Sequence, residues 1–321
     1  MNLENKKILF IAPRYFGYDK EIKKEMERQG ADVHFFNDKN IFLNTICKYL
    51  TKDLKLYNFV YRIISAFLPK QINYIFIIDG FSMSVKTLEM FKNKYKNSKY
   101  ILYLWDGVRN CRNSIKISNY FDKVLTFDIE DSKKYNWYYR PLFYSRLKAD
   151  SVEKDIDVLY VCSLHSKRMK TLNEISKYCF NNNLNLYTYL YISLPILIYY
   201  KYIKHNKDYI FANINNVKLK KISLNEMYDL YNRSKSVIDF THPNQSGYTM
   251  RTIECLGYNC KLFTNNKNIT KADFYNRNNI AVYDDINKSL NNDFITRNYD
   301  KCSKDILQKY SLSGWIEEIF E

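Results

Sequence analysis

Short runs that are apolar throughout recur along the chain with helical patterns between them, and this alternation constrains the fold more than any other feature. Lys7 to Ala12 (KILFIA) reads as a strand, Asp19 to Gln29 as an amphipathic helix closed by Gly30, and Asp32 to Phe36 as the next strand. Leu43 to Leu68 is a long helical stretch, followed by strand Tyr74 to Ile78 (YIFII), helix Ser84 to Tyr95, strand Tyr100 to Trp105 (YILYLW) and strand Lys123 to Phe127. A strand with no polar face has to be covered on both sides, which points to a parallel sheet between helix layers. The expected N-terminal domain is therefore a doubly wound α/β unit over residues 1–145.

The periodicity lapses from Arg140 to Asp155 and then restarts. Strand Ile156 to Cys162 (IDVLYVC), helix Lys167 to Asn181, strand Leu184 to Tyr191, helix Leu224 to Arg233, strand Ser236 to Phe240, helix Tyr248 to Leu256 and strand Lys261 to Thr264 form a second α/β series. Ser223 and Glu226 make a capping-box pattern at the start of the middle helix. An amphipathic segment from Lys304 to Phe320 closes the chain as a helix packed on a domain surface, and 146–321 is expected to be one C-terminal domain. A length of 321 residues suits two cores, and 46% apolar residues can fill them.

The charge balance of +16 favours an anionic partner. Abundant Lys, Asn, Ile and Tyr are also what AT-rich codon usage yields, and the basic residues are dispersed, which argues against a dedicated nucleic-acid binder. Seven scattered cysteines without a CxxC pair give neither a disulfide framework nor a zinc pattern. No signal peptide is legible at the N-terminus, so a cytoplasmic location is expected. The segment from Leu184 to Ile203 is long and apolar, but Pro195 and its tyrosines suit a spanning helix poorly. It reads either as a strand followed by a helix lying at an anionic membrane surface, or as an ordinary core strand and helix.

Only seven glycines occur, and Gly17, Gly80, Gly107 and Gly247 each follow a strand, at the edge where open α/β sheets bind ligands. Neither GxGxxG nor GK[ST] is present, which lowers the case for a dinucleotide oxidoreductase or an ATPase. The richest stretch is Asp239 to Thr264. There a polar loop with His242, Gln245, Ser246 and Gly247 leads through Tyr248 and Thr249 into a helix carrying Arg251 and Glu254. A helix N-terminus favours a diphosphate. Arg251 would add a charge-assisted bond to phosphate, and Glu254 would accept ribose hydroxyls, with Gly247, Arg251 and Glu254 on one helix face. The competing reading pairs Arg251 with Glu254 on a solvated helix. Ser163, His165, Ser166 and Arg168, after the first C-domain strand, make a second phosphate-cradle candidate. A metal site is not expected from the four dispersed histidines.

These residues resemble the donor-binding region of GT-B glycosyltransferases, and most of all that of bacterial lipopolysaccharide or capsular-polysaccharide biosynthesis proteins. The matching positions are His242, Pro243, Gln245, Gly247, Thr249, Arg251, Glu254, Thr264 and Asn265, with FIAPRYFGYDKEI, YLWDGVRN and YFDKVLTFDIED in the N-terminal half. The resemblance implies two Rossmann-like domains facing across a cleft, a nucleotide-sugar donor held by the C-terminal one, a lipid-linked or polysaccharide acceptor, and no cofactor or obligatory metal. Many retaining members carry two glutamates eight residues apart. Ser246 stands where the first would be, so inversion is favoured and a general base is sought on the acceptor side. Asp106, beside Trp105 at a strand end, and Asp19 are the candidates, with Asp79 as a third. Asp19 could instead cap its helix, Asp79 and Asp106 could fix turns, and Asp128 and Asp131 are expected to cap the helix near Ile129. Two rival readings are a nucleotide-sugar epimerase on the same scaffold and a non-enzymatic binder of nucleic acid or another anionic polymer.

Overall fold

The computed structural model describes residues 3–38, 54–164, 168–205, 217–241 and 245–321. The chain forms two compact units. The first comprises Met1–Phe143, Gln245–Tyr248 and Leu312–Glu321, and the second comprises Tyr144–Asn244 and Thr249–Ser311.

The first unit is built on a six-stranded sheet of β1 (Lys7–Ala12), β2 (Asp32–Asn37), β3 (Tyr74–Ile78), β4 (Lys99–Leu104), β5 (Lys123–Thr126) and β6 (Tyr138–Tyr139). Their order is β2-β1-β3-β4-β5-β6, and every pairing is parallel. The strands are apolar throughout because both faces are covered. Leu9, Ile11, Ile75, Ile77 and Leu102 point into one buried cluster with Tyr61, Leu88 and Phe91 from the helices Lys55–Phe67 and Val85–Lys94. Alternate residues face the opposite layer, where Phe10 stacks on Phe76 at 5.3 Å and Tyr103 meets Trp315 edge-on at 4.8 Å.

That second layer contains the terminal helix Leu312–Phe320, and here the expected domain assignment is corrected. The amphipathic pattern does not run as one helix on the C-terminal domain. It breaks at Ser311, whose backbone is extended, into Lys304–Tyr310 in the second unit and Leu312–Phe320 in the first. Trp315, Ile316, Ile319 and Phe320 are buried, with Trp315 against Phe143 at 5.0 Å and Phe320 against Tyr74 at 5.0 Å.

The second unit holds a five-stranded parallel sheet, β7 (Ile156–Ser163), β8 (Leu186–Tyr191), β9 (Ser234–Asp239), β10 (Lys261–Thr264) and β11 (Ile280–Val282), in the order β11-β10-β9-β7-β8. The helix Leu224–Arg233 begins with the expected capping box between Ser223 and Glu226. After β8 the chain forms the helix Leu194–Ile198, continued by a wider π-helical turn over Tyr199–Ile203. Among the described residues no helix is long and apolar enough to cross a membrane.

In both sheets the strand order reverses once. The chain leaves β1 for β2 on one side and returns to β3 on the other, and likewise leaves β7 for β8 and returns to β9. Such reversals splay the loops at the carboxyl ends of the two central strands and open a crevice there.

Candidate functional site

In the second unit the reversal lies between β7 and β9, and two guanidinium groups straddle it. Arg251, in the helix Met250–Gly257, donates from Nη1 to Asp239 Oδ1 at the end of β9 (2.7 Å) and from Nη2 to the Val161 carbonyl of β7 (2.8 Å). Arg168, first residue of the helix Arg168–Asn181, donates from Nη1 to the Ser163 carbonyl (2.7 Å) and lies 5.8 Å from the Phe240 ring. Burial pushes the thiol of Cys162 up, and Arg168 and Arg251 both pull it back, so the two positive charges converge on the end of β7. Ser163 is exposed beside them.

The residue that sequence reasoning missed is Asp239. Its side chain is fully buried and accepts from Thr249 (2.8 Å), Thr252 (3.2 Å) and Thr241 (3.3 Å) as well as from Arg251. Burial disfavours the charge on Arg251, yet the Asp239 carboxylate outweighs it and leaves the guanidinium held more firmly protonated than usual. Its Nε is buried and has no hydrogen-bond partner among the described residues. The side chain keeps 24% of its surface exposed. A guanidinium fixed in this way offers a preset positive edge to an anion. The signal for Asp239 was present: an acid closing an apolar strand needs a buried partner.

Several expected placements differ. The helix starts at Met250 with Thr249 as its cap, so Gly247 is not on the helix and does not share a face with Arg251 and Glu254. Gln245, Ser246, Gly247 and Tyr248 belong to the first unit. Asp128 accepts there from Ser246 N (2.8 Å), Ser246 Oγ (2.7 Å) and Gly247 N (3.2 Å). A Cβ on Gly247 would collide with the carbonyl and ring of Phe127, so the absent side chain serves this close approach. Tyr248 is buried. Glu254 is fully buried and accepts from Ser145 N at 3.4 Å. The ion-pair partner of Arg251 is Asp239, not Glu254. His165, Ser166 and His242 lie outside the described residues.

In the first unit the reversal lies between β1 and β3, and the backbone is strained at both strand ends. Phe16 (φ 51°) and Gly17 (φ 104°) follow β1, while Asp79 (φ 61°) and Gly80 (φ 65°) follow β3. Asp79 is fully buried. It accepts from Tyr15 Oη (2.5 Å), Trp105 N (2.8 Å) and Asp106 N (3.2 Å), joining the ends of β1, β3 and β4. Burial raises its carboxyl to about 7, helped by the charge of Asp106 and opposed by the Tyr15 hydrogen bond. Burial and the Asp79 charge in turn push the Tyr15 hydroxyl far up. Asp106 is partly exposed at this edge.

Asp19 does not cap its helix, whose first turn begins at Gly17 without a side-chain cap. It is buried, and burial raises its carboxyl while Arg14 and Lys20 act to lower it. Asp128 caps the helix Ile129–Tyr135 as expected, through Glu130 N and Asp131 N. Asp131 instead accepts from Val108 N at 2.7 Å.

No protein-family model matches the chain, and no curated protein sequence matches it. Solved structures do. The chain superposes on Anabaena HepE, crystallised in complex with UDP-glucose, with a TM-score of 0.58 and 11% identity over 98% of each chain. It also matches a glycosyltransferase from Rickettsia africae (TM-score 0.53, 12% identity, 98% of this chain and 88% of that one). A Streptococcus pneumoniae structure of accessory secretory proteins 1, 2 and 3 matches at a TM-score of 0.45 with 11% identity. This chain covers 57% of that one and 83% of itself is matched. The architecture is that of the GT-B glycosyltransferases: two doubly wound α/β units, each with its strand-order reversal and polar edge.

Proposed function

We propose that this chain is a glycosyltransferase that moves a sugar from a nucleotide-sugar donor to a surface-polysaccharide acceptor. The observation that carries the reading is the pair of fixed guanidiniums, Arg168 and Arg251, at the strand-order reversal of the second unit beside the exposed Ser163. A diphosphate is the anion that suits two such groups at this place in an α/β sheet. The UDP-glucose bound by HepE supports a nucleotide sugar as the partner. The charge of the diphosphate falls to the two arginines, and no resident metal or other cofactor enters the reading.

The first unit supplies the acceptor side. Asp106 is the general base in this reading, since it is the carboxylate at the β4 end that reaches solvent, and Asp79 holds its backbone. Inversion follows as the favoured outcome, because Ser246, in place of a carboxylate, is tied to Asp128. The acceptor is a lipid-linked precursor of lipopolysaccharide or capsule, met at the inner face of the cytoplasmic membrane.

The test is calorimetric titration of UDP, GDP, CMP and their sugar conjugates, with and without a chelator. One nucleotide should bind, equally well in both conditions, and Arg168→Ala should weaken it about ten- to a hundredfold, as loss of a charge-assisted phosphate bond predicts. Unchanged affinity in that variant would overturn the donor site. Interconversion of the free nucleotide sugar without any acceptor would move the reading to an epimerase.

A further inference from the structure

The helical segment Leu194–Ile203 leaves most of its apolar side chains in water. Leu197 enters the core of the second unit, and Tyr200 packs against it. Around the rest of the helix Leu194, Ile196, Ile198, Tyr199, Tyr202 and Ile203 are exposed, Tyr202 by 63% and Ile203 by 67%. A cluster of this kind on one short helix marks a surface that meets another apolar phase.

Basic residues frame it at both ends. Lys201 lies within the π-helical turn and Lys204 directly after it. At the other end Lys218 runs beside β8, its N–H donating to the Leu190 carbonyl (2.7 Å) and its carbonyl accepting from Ile192 N (3.0 Å). The Lys220 carbonyl accepts from Tyr189 Oη at 2.8 Å. Lys218 and Lys220 are exposed, and Lys218 lies beside Tyr191, three residues before the helix. No Asp or Glu occurs from Leu184 to His205, and the acid at the other end, Glu226, is engaged by Ser223 and carries a charge opposite to that of Lys220.

We infer that this face of the second unit is a docking surface for an anionic lipid bilayer, with the helix Leu194–Ile203 lying in the headgroup layer. The isoleucines and Leu194 enter the acyl boundary, the tyrosines take the interface, and the lysines at either end meet lipid phosphates. A nucleic acid would satisfy the lysines but leave the aliphatic side chains in water. A second copy of the chain would bring lysines against lysines. The helix starts three residues after Tyr191, which pairs with Ser163 at the same sheet edge, so the readout chosen is partitioning instead of turnover.

The experiment is co-sedimentation of the full chain with vesicles of phosphatidylcholine alone and of phosphatidylcholine mixed equally with phosphatidylglycerol. Binding should require the anionic lipid and fall with added salt. Lys218→Ser with Lys220→Ser should lower partitioning about fivefold per lysine. Ile198→Ser with Ile203→Ser should lower it by about twentyfold or more, the loss expected when the exposed parts of two aliphatic side chains no longer enter the bilayer. Thermal unfolding of both double variants should match the parent, since these side chains are exposed. Equal binding to neutral vesicles would overturn the inference, as would full binding by the isoleucine variant. A dimer in solution that the isoleucine substitutions dissolve would assign the face to a second copy and overturn it as well.

Discussion

Asp128 holds Ser246 by two hydrogen bonds at once, one from its backbone N–H and one from its hydroxyl, across more than a third of the sequence. The same carboxylate accepts from Gly247 N, Glu130 N and Asp131 N, so it joins a helix cap to a distant loop. Asp128→Ala should destabilise the first unit by about 3 kcal/mol, since several donors, most of them partly buried, lose one acceptor together. Ser246→Ala should cost about 1 kcal/mol. Urea unfolding followed by circular dichroism checks both, and equal costs would show that the two bonds do not share one anchor.

Removing either partner of the Arg251–Asp239 pair leaves the other poorly compensated, but the two losses differ. Arg251→Ala strands a fully buried carboxylate and should cost about 3 kcal/mol. Asp239→Asn keeps the shape and one acceptor and leaves a guanidinium with some access to water, so it should cost less. Melting temperatures of the two variants give the order, and the reverse order would show that Arg251, not Asp239, is the group that needs its partner.

Burial raises the Asp79 carboxyl from its ordinary 3.8 to about 7, so between those values the folded chain keeps a proton that the unfolded chain releases. The stability tied to this group is full below about pH 4 and falls as pH rises to about 7, with a slope of at most ~1.4 kcal/mol per pH unit. Asn tolerates the positive φ at this position and does not titrate. Asp79→Asn should therefore gain on the parent as pH rises through that window. Urea midpoints measured across it test the sign, and parallel curves would place the titration elsewhere.

Trp315 fills the aromatic layer under β3 and β4 and is fully buried. Trp315→Ala should cost about 3–5 kcal/mol through the cavity left beside Phe76, Tyr103 and Phe143. The near-ultraviolet dichroism of the first unit should weaken with it. An unchanged unfolding midpoint would mean that the helix Leu312–Phe320 adds little to that core.

Most of the fold was legible because fully covered parallel strands write themselves as apolar runs. The limits of Lys7–Ala12, Tyr74–Ile78 and Lys261–Thr264 agree with the observed strands, and Leu224–Arg233 agrees with its helix. β6 and β11, with two and three residues, are too short to show a period. The pattern at the end of the chain runs unbroken across Ser311, and periodicity alone does not say which core each half enters. The site was readable as an edge and less so as a set of partners. Arg251 lies on the predicted helix, but the identity of its partner depended on β9 ending at Asp239. Gly247 answers to Phe127, which lies far away in sequence.

The layer that Trp315 completes has a consequence for the order in which the protein is made. Residues 3–143 leave the ribosome first, yet Phe76 and Tyr103 receive their cover only when Leu312–Phe320 has been synthesised, after the whole of the second unit. Until then the apolar part of the first sheet around Phe76 and Tyr103 lacks this cover. Of the two units, the one translated earlier is thus the one completed later, and a chain cut short before Leu312 would present the uncovered part to chaperones and proteases.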